Sequence, residues 1–167
     1  MVVGHAHPHV RACLRQILLD EGKAAAVAEA GNADEMVALL KTHQWIVIVL
    51  GASFPGPPIQ EQLAIFRKID PSVRCVVLSG YPHASVTGLL MECGADAVVM
   101  EESIDDDLIA AVQSVRRGEN VFCRGLVEDR SRLAAGVGDE PPVSALSSKD
   151  QRSAKSRSGP AGTTPGS

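Results

Sequence analysis

Short apolar runs alternate with stretches of helical periodicity from the start of the chain to about residue 118. The apolar runs predict strands at residues 1–4, 24–30, 45–50, 73–79 and 97–100. Apolar residues at helical spacing predict helices at 8–21, from 33 to about 42, around 63–69, at 83–93 and at 104–117. The run at 45–50, WIVIVL, is unbroken, which is typical of a parallel strand buried on both faces.

Several helix ends are marked by residues suited to those positions. Pro8 fits the first turn of a helix, and Asn32 followed by Glu35 is a capping-box pattern. Gly94 is suited to the position just after a helix. Ser103 is predicted to cap the last helix, where the carboxylates at 105–107 favour the positive end of the helix dipole.

Five strand–helix units in succession predict a doubly wound α/β fold. Because parallel strands are joined by right-handed crossovers, the helices are expected to cover both faces of a five-stranded parallel sheet.

Composition predicts where the folded part ends. The chain has 167 residues, of which 45% are hydrophobic and 22% charged, as in one globular domain. Residues 136–167 contain 5 Gly, 4 Pro and 7 Ser and no aromatic residue, so we expect a disordered tail there. Residues 124–135 are a candidate short helix.

Charge and cysteine usage exclude several classes of protein. The formal net charge of −4 does not favour a DNA-binding surface. No apolar run approaches the roughly 20 residues of a membrane span, and the amino terminus has no signal-peptide pattern. Single cysteines at positions 13, 75, 93 and 123 are expected to be reduced core residues. These features predict a cytoplasmic protein.

Six short stretches, in order, resemble bacterial response-regulator receiver domains of the CheY-like superfamily, in particular the group with a LuxR-type helix-turn-helix behind the receiver. They are HPHVR at 7–11, EAGN at 29–32, FPG at 54–56, VVLSGY at 76–81, GADA at 94–97 and RGE at 117–119. The resemblance covers residues 1–123 and implies a flavodoxin-like (βα)5 receiver fold.

The family's phosphorylation residues are largely replaced in this chain. An acidic pair that holds Mg²⁺ falls on His5 and Ala6, and the aspartate that accepts the phosphoryl group falls on Gly51. The remaining family positions fall on Ser79, which matches, on Val98 in place of an aromatic residue, and on Glu101 in place of a lysine. The resemblance therefore implies a degenerate pocket with no phosphoryl acceptor, no cofactor and no metal.

Three other arrangements of titratable residues suggest chemistry. His5, His7 and His9 alternate as in some metal sites, but the sequence offers no third ligand. The family has carboxylates after its first strand and a lysine after its fifth, whereas this chain has His5 and Glu101 at those places. One hypothesis is an ion pair between them that raises the pKa of His5. The alternative is that both side chains are exposed to solvent. The carboxylates at 101–102 and 105–107 are interpreted as a helix start, with a cation site as the alternative.

The resemblance also implies a surface for protein partners. The family pairs through its fourth helix, fifth strand and fifth helix, which correspond to residues 83–117. The candidate interface residues on this surface are Leu89, Leu90, Val99, Leu108 and Val112. A homodimer through the same surface is a further possibility that the resemblance implies.

The sequence leaves three functions open. The first is a non-catalytic, non-phosphorylatable signalling module. The second is a transcription regulator truncated or frame-shifted before its helix-turn-helix, because residues 143–151 resemble the opening of that domain. The third is a small ligand-binding protein of flavodoxin-like fold, although no cofactor-binding loop supports it.

Overall fold

The computed structural model describes residues 1–81 and 83–121, which form a five-stranded parallel sheet covered by helices on both faces. The strands are β1 (Val2–Gly4), β2 (Ala28–Ala30), β3 (Val47–Gly51), β4 (Arg74–Ser79) and β5 (Ala97–Met100). The helices are α1 (Pro8–Asp20), α2 (Ala33–Thr42), α3 (Ile59–Ile69), α4 (Ala84–Glu92) and α5 (Ile104–Arg116). The predicted helix at 124–135, the predicted tail at 136–167 and the motif at 143–151 lie outside the described residues.

The strand order is β2-β1-β3-β4-β5, and every neighbouring pair is parallel. The predicted doubly wound α/β fold is therefore confirmed. Helices α1 and α5 cover one face, where Leu14 and Leu18 of α1 and Val112 of α5 are buried. Helices α2, α3 and α4 cover the other face, with Met36 and Phe66 among the buried side chains.

Side-chain alternation along the strands separates these two cores. On β3, Ile48 and Leu50 face the α2–α4 side, whereas Val47 and Val49 face the α1–α5 side. A strand that packs on both faces needs an unbroken apolar sequence, and this explains the composition of β3. None of the described helices combines the length and apolar character that crossing a bilayer requires.

Two predicted strands are shorter or shifted. β2 contains only residues 28–30 of the predicted 24–30. β3 begins at Val47, two residues after the predicted start at Trp45. The Trp45 indole N–H donates to the carbonyl of Leu39, 2.9 Å away, and Ile46 is 59% exposed. The prediction of burial on both faces was therefore wrong at Ile46.

The helix ends follow the sequence signals with one exception. The Asn32 side chain accepts a hydrogen bond from the Glu35 N–H at 3.0 Å. Gly94 follows α4 with a φ of +110°, a region that favours glycine. Ser103 lies at the cap position of α5, but its hydroxyl makes no capping bond, because a 3₁₀ turn (Glu101–Ser103) leads directly into the helix.

The cysteines do not share one environment. Cys75 is fully buried in β4, and burial raises the pKa of its thiol to about 12. Cys93 is partly buried, whereas Cys13 is exposed on α1, so the prediction of a core position was wrong for Cys13. Cys123 lies outside the described residues.

Candidate functional site

The candidate site lies where the strand order changes direction, between β1 and β3. The connections from these two neighbouring strands run to opposite sides of the sheet, since β2 flanks β1 and β4 flanks β3. In open α/β sheets, ligands bind outside the carboxyl ends of the strands at such a switch point. Gly4 of β1 pairs with Leu50 of β3, so the next residues, His5 and Gly51, come side by side at this edge.

The imidazole of His5 occupies the space that a side chain at Gly51 would need. A β-carbon at Gly51 would lie 2.7 Å from Cδ2 of His5, closer than non-bonded carbon atoms approach each other. His5 is only 7% exposed. The site that the sequence predicts to lack a phosphoryl acceptor is therefore filled by a ring from the neighbouring strand.

The loop after β1 is held by local hydrogen bonds. The backbone N–H of His7 donates to Nδ1 of His5 at 3.1 Å. The Arg11 guanidinium Nη1 donates to the carbonyl oxygens of His5 at 2.7 Å and Ala6 at 3.3 Å. The Arg11 guanidinium is therefore bonded to the carbonyls of the loop after β1. In receiver domains the corresponding loop carries the acidic residues that bind the metal.

Burial dominates the electrostatics of His5. It lowers the pKa of the imidazole, and the positive groups His7 and Arg11 act in the same direction, while the Glu101 carboxylate raises it. No His5–Glu101 ion pair within 4 Å occurs among residues 1–81 and 83–121. The hypothesis of an ion pair that raises the pKa of His5 was therefore wrong, because desolvation outweighs the attraction of Glu101.

The other predicted pocket residues have separate environments. Ser79 is 1% exposed, and its hydroxyl accepts from the Tyr81 N–H at 3.2 Å. Val98 is fully buried in the α2–α4 core. Glu101 is exposed, and its Oε2 lies 3.3 Å from the position that a β-carbon on Gly80 would take. Of these three residues, only Glu101 presents a charge to solvent.

The predicted histidine and carboxylate clusters do not assemble a metal site within the described ranges. The rings of His5 and His7 have centroids 5.5 Å apart, but no group of three potential ligands occurs in the part of the chain that the structure describes.

Most of the predicted interface residues are in the core. Leu90, Val99, Leu108 and Val112 are at most 3% exposed. The helices α4 and α5 turn the three leucine and valine side chains that they carry toward the sheet, and Val99 of β5 faces the α1–α5 core. Their assignment to a protein interface was wrong. Leu89 is 48% exposed and stays a candidate contact.

Two side chains that sequence reasoning did not single out organise the site. Arg11 holds the loop after β1, and on the next turn of α1 Arg15 contacts the same Glu29 carboxylate as Arg11 does. The four-residue spacing of the two arginines was the available signal. Gln62 is 1% exposed and donates to the carbonyls of Phe54 at 3.0 Å and Pro57 at 2.7 Å, fixing the loop after β3. A glutamine on the apolar face of a predicted helix was the signal for this contact.

The strand order, the covering helices and the position of the edge define a flavodoxin-like (βα)5 fold of the receiver type. No family model matches the chain. The LuxR-family response regulator from Aurantimonas sp. SI85-9A1 superposes with a TM-score of 0.73 at 23% identity, covering 81% of this chain and 96% of that one. The receiver domain of the response regulator NarL from Mycobacterium tuberculosis superposes at 0.64 with 24% identity, covering 71% and 95%.

Sequence comparison gives relatives of the same kind. The nitrate/nitrite response regulator NarP of Escherichia coli K12 is 27% identical over 86% of this chain and 67% of its own length. NarL of the same organism is 27% identical over 72% of this chain and 56% of its own length. The chain is therefore related to two-component response regulators of the NarL/LuxR type, and it spans between about half and two thirds of these relatives.

Proposed function

We propose that the chain is a cytoplasmic, non-catalytic receiver-like signalling module that acts through protein contacts and accepts no phosphoryl group at position 51. The observation that carries this proposal is the His5 ring packed against Gly51, with 2.7 Å between Cδ2 and the position of a β-carbon. An acyl phosphate needs a carboxylate oxygen at this position, and glycine has no side chain to supply one.

The surroundings of Gly51 also oppose phosphate chemistry. Mg²⁺ prefers carboxylate and phosphate oxygens, whereas the loop after β1 offers carbonyls already bonded to the Arg11 guanidinium. The Glu101 carboxylate at the end of β5 repels an incoming phosphoryl group. Gly51, the loop after β1 and Glu101 thus all act against phosphorylation at this site.

The family relationship supports a role in signalling. Related proteins named as response regulators act in two-component systems, and the receiver-like fold is present in full from β1 to α5. We infer that this chain contributes binding surfaces rather than a phosphorylation-dependent change. Its negative net charge makes proteins, rather than DNA, the expected partners.

A phosphodonor assay tests the first part of the proposal. The chain is incubated with acetyl phosphate and Mg²⁺, and intact mass is followed together with ¹⁵N–¹H spectra before and after beryllofluoride. We expect no added phosphoryl group and no shifts at Gly51. The matched variant His5→Asp/Ala6→Asp/Gly51→Asp/Glu101→Lys is expected to gain an acid-stable, hydroxylamine-labile phosphoryl group. A phosphorylated wild-type chain would overturn the proposal whether or not the variant folds.

A further inference from the structure

An open cavity lies at the amino ends of the strands, at the opposite edge of the sheet from the candidate site. Its lining consists of residues 23–26 before β2, residues 44–46 before β3, Met1 before β1 and Arg116 at the end of α5. Because β1 lies between β2 and β3 in the sheet, segments far apart in sequence meet here. The volume is about 300 Å³, which is enough for a small molecule.

The walls of this cavity are largely apolar. The alanines at 24–26 have side chains too short to fill it. Ile46 is 59% exposed, and Trp45 is partly buried. A ligand in the cavity would therefore cover apolar surface that water now contacts.

The indole of Trp45 is held in place by its own side of the chain. Its N–H donates to the carbonyl of Leu39 at 2.9 Å, and its centroid lies 5.6 Å from that of the His43 ring. The ring also packs against the α2–α4 core. A fixed aromatic surface loses little conformational entropy when a planar ligand stacks on it.

Two cationic side chains of the cavity have no acidic partner. Lys23 and Arg116 are exposed, and neither forms an ion pair within 4 Å with another of the described residues. The neighbouring Arg117, in contrast, is bonded to Glu119 at 3.2 Å. A chain with a net charge of −4 thus presents positive charge that is not neutralised at this cavity, and such a place attracts anions.

The backbone at Lys23 is unusual. Its φ is +49°, and it is the one non-glycine residue with a positive φ in the part of the chain that the structure describes. Glycine would take this conformation without strain. The lysine side chain is therefore present where the backbone alone would favour glycine.

We propose that this cavity binds a small planar molecule that carries a carboxylate, such as an aromatic carboxylic acid. The ring of the ligand would stack on Trp45 and contact Ile46, while the carboxylate would lie between Lys23 and Arg116. A neutral ring of the same size would leave both cations unmatched. The inference goes beyond the proposed function, because a ligand at the amino edge makes no use of the residues around Gly51.

Two matched probes test the proposal by titration of the ¹⁵N-labelled full chain. They are naphthalene-2-carboxylate and its uncharged twin, naphthalene-2-carboxamide. The chain has a single tryptophan, so one indole N–H signal reports on the cavity. We expect the carboxylate to shift this signal and those of Ala25 and Ile46, with a Kd on the order of 0.1–1 mM for a ligand of this size. The carboxamide is expected to bind several-fold more weakly, and only the carboxylate is expected to lose affinity as salt rises.

Charge variants locate the binding site. Arg116→Gln is expected to weaken binding of the carboxylate by about threefold to fivefold, whereas the control Arg117→Gln, next to it but outside the cavity, is expected to change it by less than about twofold. The double variant Lys23→Gly/Arg116→Gln is expected to weaken it by about tenfold and to leave binding of the carboxamide almost unchanged.

Two further variants separate binding from folding. Lys23→Gly relieves the positive φ, so its urea midpoint is expected to equal or exceed that of the wild type while its affinity for the carboxylate falls. Ala25→Phe places a large side chain at an exposed position of the lining, and it is expected to abolish binding without changing the circular dichroism spectrum.

Three outcomes would overturn the proposal. They are equal affinities for the two probes, equal effects of Arg116→Gln and Arg117→Gln, and no shift of the Trp45 indole signal with either probe. None of these results bears on the phosphodonor assay, so the two proposals fail independently.

Discussion

Polar side chains lie at both ends of the sheet, but they form long-range bonds at one end and only local bonds at the other. At the amino ends of β4 and β5, the buried Asp96 carboxylate accepts from Arg67 at 2.6 Å, Arg74 at 3.1 Å and the Cys75 N–H at 2.7 Å. At the carboxyl ends, the His5 ring accepts one hydrogen bond within its own loop, and the Ser79 hydroxyl bonds only to the backbone of Tyr81.

This difference shows which end of the sheet the fold depends on. The Asp96 cluster joins α3, β4 and the start of β5, so losing one member leaves buried charge or an unsatisfied N–H. The side chains of His5 and Ser79 at the carboxyl edge bond only to residues near them in sequence, so removing one of these bonds leaves no buried charge unpaired. The polar groups of the site edge can therefore change with less cost to the scaffold than the Asp96 cluster.

The largest expected effect is the removal of the Asp96 carboxylate. Asp96→Ala leaves the Cys75 N–H unpaired and two arginines without their anion. We expect the free energy of unfolding to fall by about 3 kcal/mol in urea titrations. Asp70→Ala is the control. The Asp70 carboxylate bonds only to Ser72 of its own loop, and its removal is expected to cost less than about 1 kcal/mol. Equal losses for both would contradict the asymmetry between the two ends.

The next effect tests the packing of His5 against Gly51. Gly51→Ala places a methyl group 2.7 Å from the His5 ring, and we expect a loss of about 1–3 kcal/mol in the free energy of unfolding. In the His5→Ala background the ring is gone, so the same change is expected to be neutral or stabilising. A double-mutant cycle measured by urea unfolding gives the coupling. Additive effects would show that the ring does not fill this space.

Much of the fold could be predicted from the sequence because its signals are local. The apolar run of β3 and the caps at Asn32 and Gly94 depend on near neighbours, and the structure confirms the strand and both helix ends. The bounds of β2 could not be predicted, since the small apolar residues before Ala28 do not specify whether they pair with β1.

The site could be predicted only in part, because burial and distance are properties of the folded chain. The resemblance to receiver domains assigned His5 and Gly51 to one pocket, but the sign of the pKa shift of His5 depends on how deeply the ring is buried. Leu108 and Val112 were assigned to a surface by resemblance, whereas the apolar periodicity of α5 already placed them toward the sheet.

A smaller effect compares two helix caps, one on each side of the site. Asn32→Ala removes the side-chain bond to the Glu35 N–H, and we expect a loss of about 1 kcal/mol. Ser103→Ala removes a hydroxyl that makes no capping bond, so its expected change lies within about 0.5 kcal/mol. Urea unfolding of both variants checks the difference. A cost for Ser103→Ala equal to that of Asn32→Ala would mean that α5 is capped in solution.

The smallest expected effect is the pH dependence contributed by His5. Its pKa in the folded chain lies below the ordinary value of 6.5, chiefly because of burial, with His7 and Arg11 adding to the shift and Glu101 opposing it. The unfolded chain therefore binds a proton at higher pH than the folded chain. The resulting stability is fully present above pH 6.5 and is lost as the pH falls through the folded pKa.

Unfolding titrations across this pH window measure that contribution. We expect wild type to lose stability toward acid more steeply than His5→Gln, whereas His9→Gln, which changes an exposed histidine on α1, is expected to follow the wild type. Glu101→Gln removes a carboxylate that favours the charged imidazole, so it is expected to steepen the acid loss. Identical slopes for wild type and His5→Gln would mean that the ring is solvated in solution, and the packing of His5 on Gly51 would then lose its support.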